Sequence, residues 1–186
     1  MKKTILLFLT VAWQSLNINQ SLMAQDETIA NKLYYTEFGG PGLIMSANFD
    51  GRFKSDAQLG FGYKLGVGFG VKVINERIND RIDGGAYYED VPRTVYAIPM
   101  GLNYVFGKPN VKSAFEVGGG VSLLSRKVSW FNYDVKKRGH MIGYVAFMYR
   151  IVPANGGFSF RAGFTPLIGT AGDLFPMGAV GFGYAF

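Results

Sequence analysis

The chain has 186 residues, 48% of them hydrophobic and 16% aromatic, with 26 glycines and no cysteine. That length supports one domain, and the lack of cysteine excludes disulfides and thiolate metal sites. A formal charge of +6 is too mild to argue for nucleic acid. Beyond the first two dozen residues, charge or glycine interrupts every apolar run well short of the ~18 residues of a membrane-spanning helix.

The amino terminus reads as an export signal. Lys2 and Lys3 form a basic start, Ile5 to Trp13 an apolar core, and Leu22-Met23-Ala24-Gln25 a cleavage region. Residues 1–24 are therefore expected to leave as a signal peptide, with 25–186 as the mature domain. Loss of two lysines lowers the formal charge from +6 to +4.

The mature chain alternates with a period of two, the mark of β-strands with two different faces. Lys32 to Phe38 and Leu43 to Phe49 are short candidates, separated by Gly39-Gly40-Pro41-Gly42. They read as a hairpin or as one long bent strand. Leu59 to Val73 is clearer. Phe61, Tyr63, Leu65, Val67, Phe69, Val71 and Val73 alternate there with glycines and with Lys64 and Lys72. Thr94 to Gly107 repeats the pattern, and Pro99, which lacks an N–H, predicts a bulge or local break. Ser113 to Leu124 sets Phe115, Val117, Val121 and Leu123 against Glu116 and small residues. Gly139 to Ile151 places Val145, Phe147, Tyr149 and Ile151 on one face, with Arg150 on the other. Phe158 to Thr165 sets Phe158, Phe160 and Phe164 against Ser159 and Arg161. Pro176 to Phe186 closes the chain, with Val180, Phe182, Tyr184 and Phe186 opposite glycine and alanine.

In a soluble sheet the face opposite the bulky apolar side chains meets water and carries polar residues. Here that face is mostly small, which fits the inverted arrangement of a membrane barrel with apolar side chains in lipid and small residues crowding the interior. Connections alternate as well. Asp50 to Ser55, Lys108 to Lys112 and Pro153 to Gly157 are short and turn-forming, whereas Ile74 to Arg93, with eight charges, and Ser125 to Arg138 are long and polar. Short turns at one end and long loops at the other predict periplasmic turns and extracellular loops. Parity then requires Lys32 to Phe38 as an eighth strand. The expectation is an all-β, eight-stranded antiparallel transmembrane barrel of up-and-down meander topology.

An alternating aromatic strand that ends in Phe resembles the terminal strand of bacterial outer-membrane barrels. That resemblance implies that Val180, Phe182, Tyr184 and Phe186 are read by the barrel-assembly machinery. Several strings, EFGGPG (37–42), IPMGLNYVFGK (98–108), FEVGGG (115–120) and GFSFRAGFTPLIG (157–169), are similar to those of small outer-membrane barrel proteins of the Bacteroidota, with an architecture like the OmpA-type or OmpW-type barrels. The likeness implies a fold and a location in the outer membrane, with lipid and lipopolysaccharide as surroundings and a monomer as the unit. It implies no reaction.

Lys64, Lys72, Glu116, Arg150 and Arg161 fall on the expected inner faces. Buried charges need partners, and an eight-stranded interior is one that side chains just fill. These five residues read as an ion network plugging the lumen, or else as the lining of a narrow channel. His140 is the one histidine. Barrel enzymes of the lipid A deacylase or palmitoyltransferase type use a serine with a histidine, and Ser125, Ser129 or Glu89 are candidate partners that no spacing selects. Gly118-Gly119-Gly120 lacks the Lys and Ser/Thr of a phosphate loop. Trp130, Phe131 and Tyr133 with Lys127, Lys136, Lys137 and Arg138 make a basic aromatic loop suited to a membrane interface. No motif for a cofactor or metal stands out. The sequence thus favours a non-enzymatic outer-membrane barrel serving envelope integrity, surface interaction or limited solute passage. The alternatives are a lipid-modifying enzyme and a soluble barrel with its aromatic faces turned inward around an apolar ligand.

Overall fold

In the computed structural model, residues 29–79, 86–108, 111–128, 139–170 and 172–186 are described, with the backbone alone for 73–79, 86–90 and 128. The expected export signal, residues 1–24, therefore lies outside the described residues. Strands β1 (Lys32–Gly39), β2 (Met45–Arg52), β3 (Gly60–Asn79), β4 (Ala86–Gly107), β5 (Ser113–Val128), β6 (Gly139–Ile151) and β7 (Gly157–Phe164) follow one another. Two-residue strands β8 (Leu167–Ile168) and β9 (Leu174–Phe175) precede β10 (Gly178–Ala185).

Each strand pairs antiparallel with its neighbours, and β1 pairs with β10 to close the cylinder. The ten segments make eight barrel strands. β8 continues β7, and β9 leads into β10 in one unbroken register: Phe164 faces Gly178 and Leu167 faces Phe175. The gaps fall at Thr165-Pro166 and Pro176-Met177, where each proline lacks the N–H that a ladder requires. Pro99 acts likewise. The β3–β4 ladder skips Gly66, Val67, Ile98 and Pro99 and resumes in the same register, so the outcome is a local break without a bulge.

The two faces fall as the alternation predicts. Phe61 and Phe158 are each 65% exposed on the outer wall, while Ala97 and Ala185 are 1% exposed inside. The soluble-barrel alternative needs the reverse. The short stretch 32–49 is a hairpin, not one bent strand, and Phe38 faces Met45 across it.

The wall is uneven in height. β1 and β2 have 8 residues each, whereas β3 has 20 and β4 has 22. Much of the expected loop 74–93 is strand instead, paired down to Asn79 opposite Ala86. Beyond Phe69, β3 has no β2 partner, and before Ala97, β4 has no β5 ladder partner. β3 and β4 thus run on past the end of β2 as an arm, ten residues of β3 beyond Phe69 or about 33 Å at ~3.3 Å per residue. The charges of this stretch mask its strands, because they interrupt the two-residue alternation that marks the others.

Candidate functional site: the packed lumen

Inside the barrel, near the end that carries the short turns, seven charged side chains alternate in sign. Lys64 Nζ donates to Glu37 Oε1 at 2.9 Å, and Glu37 Oε2 lies 3.3 Å from Arg161 Nε. Arg161 Nη2 donates to Glu116 Oε1 at 3.1 Å, and Arg150 Nη1 to Glu116 Oε2 at 2.9 Å. Arg150 Nη2 lies 3.6 Å from Asp50 Oδ1, which also accepts from Arg52 Nη2. Asn103 braces the middle, donating to Asp50 Oδ2 at 2.5 Å and to Glu116 Oε1 at 3.2 Å. Every member is buried, from 0% exposure for Glu37 to 7% for Arg52.

Register explains the order. Arg150 and Arg161 are direct cross-strand partners on β6 and β7, a pairing of like charges that is unfavourable alone. Glu116, reaching over from β5, separates them and gives one carboxylate oxygen to each. The chain has a cation at both ends, four positive groups against three negative. Its ends are closed without a further anion. Arg52 donates to Gly60 O at 3.0 Å and to Asn103 Oδ1 at 2.8 Å. Lys64 Nζ stands 5.4 Å from the Tyr35 ring centre and 5.9 Å from that of Tyr144, and the Arg161 guanidinium lies 4.5 Å over Tyr35. Aromatic faces attract cations in this way.

Four of the five residues expected on the inner face meet here: Lys64, Glu116, Arg150 and Arg161. Lys72 does not join them. It lies eight residues further along β3, half-buried, with Nζ 3.4 Å from Lys127 O. Glu37, Asp50, Arg52 and Asn103 are members that the sequence does not single out. Glu37 shares the inward parity of Leu33 and Tyr35, which is the available signal. Asp50 and Arg52 read as part of a turn, but β2 continues through both.

Toward the arm end the interior changes character. The β1–β2 connection, Gly40-Pro41-Gly42, folds into the barrel and is wholly buried. Ser122 Oγ on β5 donates to Pro41 O at 2.7 Å, pinning the turn across the lumen. Leu43 comes next at φ 77°, an unusual value for a side-chain-bearing residue, and packs with Val95, Ala97, Leu124, Ile142, Tyr144 and Leu167. Two glycines of β3 make room. A Cβ on Gly70 would stand 2.8 Å from Leu43 Cβ, and one on Gly68 would overlap Gly42 O. The opposite mouth is closed too. Ala30 N donates to Ala154 O at 2.9 Å, and Gln58 Nε2 to Pro153 O at 2.9 Å, over a small apolar cluster of Ala30, Leu33, Tyr35, Val152 and Ala185.

His140 sits exposed on the arm-end rim, its Nδ1 3.0 Å from Leu124 O. Ser125 Oγ accepts from Tyr96 N at 2.9 Å instead of meeting the imidazole. Ser129 and the Glu89 side chain lie outside the described residues, as do Trp130, Phe131, Tyr133, Lys136, Lys137 and Arg138. Among the described residues no group of three or more His, Cys, Asp or Glu is placed to hold a metal. Val180, Phe182, Tyr184 and Phe186 project from the outer wall, 40–48% exposed, on the strand that closes the barrel.

A closed, eight-stranded, antiparallel cylinder with an apolar exterior and a charged interior is the fold of the small outer-membrane β-barrels. Among solved structures, the chain is similar to the N-terminal β-barrel domain of Pseudomonas aeruginosa OprF, at 15% identity and a TM-score of 0.50, over 85% of this chain and 99% of that one. It also aligns with the Yersinia pestis outer membrane protein Ail, at 11% identity and a TM-score of 0.49, over 84% of this chain and 99% of that one. At these identities the likeness is one of fold alone. No protein-family model and no curated protein matches the sequence.

Proposed function

We propose that this protein is a non-enzymatic outer-membrane barrel, exported by its first 24 residues, that acts as a closed anchor holding an arm outside the cell. Its short turns and both chain ends face the periplasm. Its surroundings are phospholipid and lipopolysaccharide, and its unit is a monomer. Val180, Phe182, Tyr184 and Phe186 serve the barrel-assembly machinery during insertion. Of the three roles open from the sequence, surface interaction and envelope integrity gain support over solute passage. The observation that carries this choice is the alternating chain of seven buried charges, which fills the lumen from β1 to β7. Ions and solutes would have to break it to pass, and removing one partner of such a buried pair costs about 3–5 kcal/mol. Conductance across a planar lipid bilayer tests the reading. Refolded protein is expected to add no steady current, and a stable ohmic conductance would return solute passage as the function.

The lipid-modifying alternative draws no support from His140, whose described contact is a main-chain carbonyl.

A further inference from the structure

On the outer wall the register sets side chains in rows. Tyr184, Tyr34, Phe49 and Leu65 stand side by side on β10, β1, β2 and β3. One step toward the arm come Phe182, Thr36, Ala47 and Val67, and one step further Val180, Phe38, Met45 and Phe69. The first and third rows are bulky throughout. The middle row loses its bulk at Thr36 and Ala47, which are direct partners. The result is a groove of about 970 Å³ whose floor is these two small residues and whose ends are Phe182 on one side and Val67 with Ile98 on the other. Ring contacts of 5.0 Å between Tyr34 and Phe49 and 5.3 Å between Tyr34 and Phe186 steady the bank nearer the short turns.

Lys32 shares the outward face of β1 with Tyr34 and Thr36 and is exposed at the short-turn end. From Lys32 to Thr36 the strand rises about 13 Å at ~3.3 Å per residue. On a strand tilted about 40° this sets the floor about 10 Å below Lys32, within one leaflet of a hydrocarbon core about 30 Å thick.

We propose that this groove holds one acyl chain of a periplasmic-leaflet phospholipid, with the Lys32 ammonium at its phosphate. The inference rests on the outer-membrane reading. The groove is continuous with the apolar wall, so hydrocarbon covers it. A chain reaching into it touches the Tyr34 and Phe49 bank, the Thr36 and Ala47 floor and the flanking Phe182 and Val67, and many small dispersion contacts add up to firmer holding than a flat wall gives. Charge selects the phospholipid over a second copy of the barrel. A parallel two-fold contact sets the same patch against itself, which would turn groove to groove and Lys32 toward Lys32.

Native mass spectrometry of the mature barrel tests this, after reconstitution in phosphatidylethanolamine with phosphatidylglycerol and release from detergent. Wild type is expected to keep one phospholipid at activation energies that strip the rest. Ala47→Phe, which fills the groove, should lower that retention at least tenfold, and Lys32→Gln several-fold. Thr36→Leu fills the same floor and stands in if Ala47→Phe does not fold. Equal retention by wild type and the filled variants overturns the proposal, and a dimer lost on filling overturns it in favour of self-association. Gel mobility with and without boiling separates the two readings. A wild type that is soluble without detergent and shows no heat-dependent shift sinks the outer-membrane reading itself, whereas a normal shift with equal retention sinks the groove alone.

Discussion

The two halves of the lumen are filled by opposite means. Toward the short turns, strand residues meet as an alternating chain of charges, every one supplied by the wall itself. Toward the arm, a turn leaves the wall and brings Pro41 and Leu43 into the interior, where Leu43 joins an apolar cluster. The difference follows from wall height. Where β1 and β2 end early, their connection has no wall to sit on and folds inward, and the taller strands opposite receive it. A tight barrel can thus be closed by charge where all its strands contribute and by a folded-in turn where some are missing.

Substitutions in each half separate the two mechanisms. Glu116→Gln keeps the shape of the side chain but leaves Arg150 and Arg161 facing each other across β6 and β7. We expect a loss of about 3–5 kcal/mol, read as a lower urea midpoint for the barrel in detergent micelles; an unchanged midpoint would mean that the chain of charges is not a unit. Leu43→Ala removes the anchor of the inserted turn. It should cost about 2–4 kcal/mol by the same measurement, through lost burial and a cavity the turn only partly fills. Ser122→Ala deletes one hydrogen bond to Pro41 O and is expected to cost only about 1 kcal/mol. If Ser122→Ala matched Leu43→Ala, the turn would be held by its polar contact and the contrast between the halves would fail.

Sequence periodicity alone carries most of this architecture. Outward Phe and Tyr against inward Gly is a two-residue pattern that survives any number of loops, and it places Lys64, Glu116, Arg150 and Arg161 inside. It does not say which of them meet. Lys72 has the same parity as Lys64 but stands about 26 Å further along its strand, and parity carries no height. Asp50 is hidden by chemistry, since Asp-Gly is a turn signal and here the pair lies within β2. The inserted turn leaves no periodic trace because Gly40-Pro41-Gly42 has no faces to compare. Its partners in β3, Gly68 and Gly70, look like every other inward glycine.

The chain of charges also bears on how long the barrel lasts once made. Two of its links, Glu37 to Arg161 and Asp50 to Arg150, join β1 and β2 to β7 and β6, which lie far apart in the chain and come together only when β1 meets β10. Contacts that form so late are missing from the folding transition state, and such contacts slow unfolding while leaving the folding rate nearly untouched. A loss in Glu37→Gln, which breaks the link from β1 to β7, is therefore expected in the unfolding rate. The charges work as a latch that is set last and must be released first.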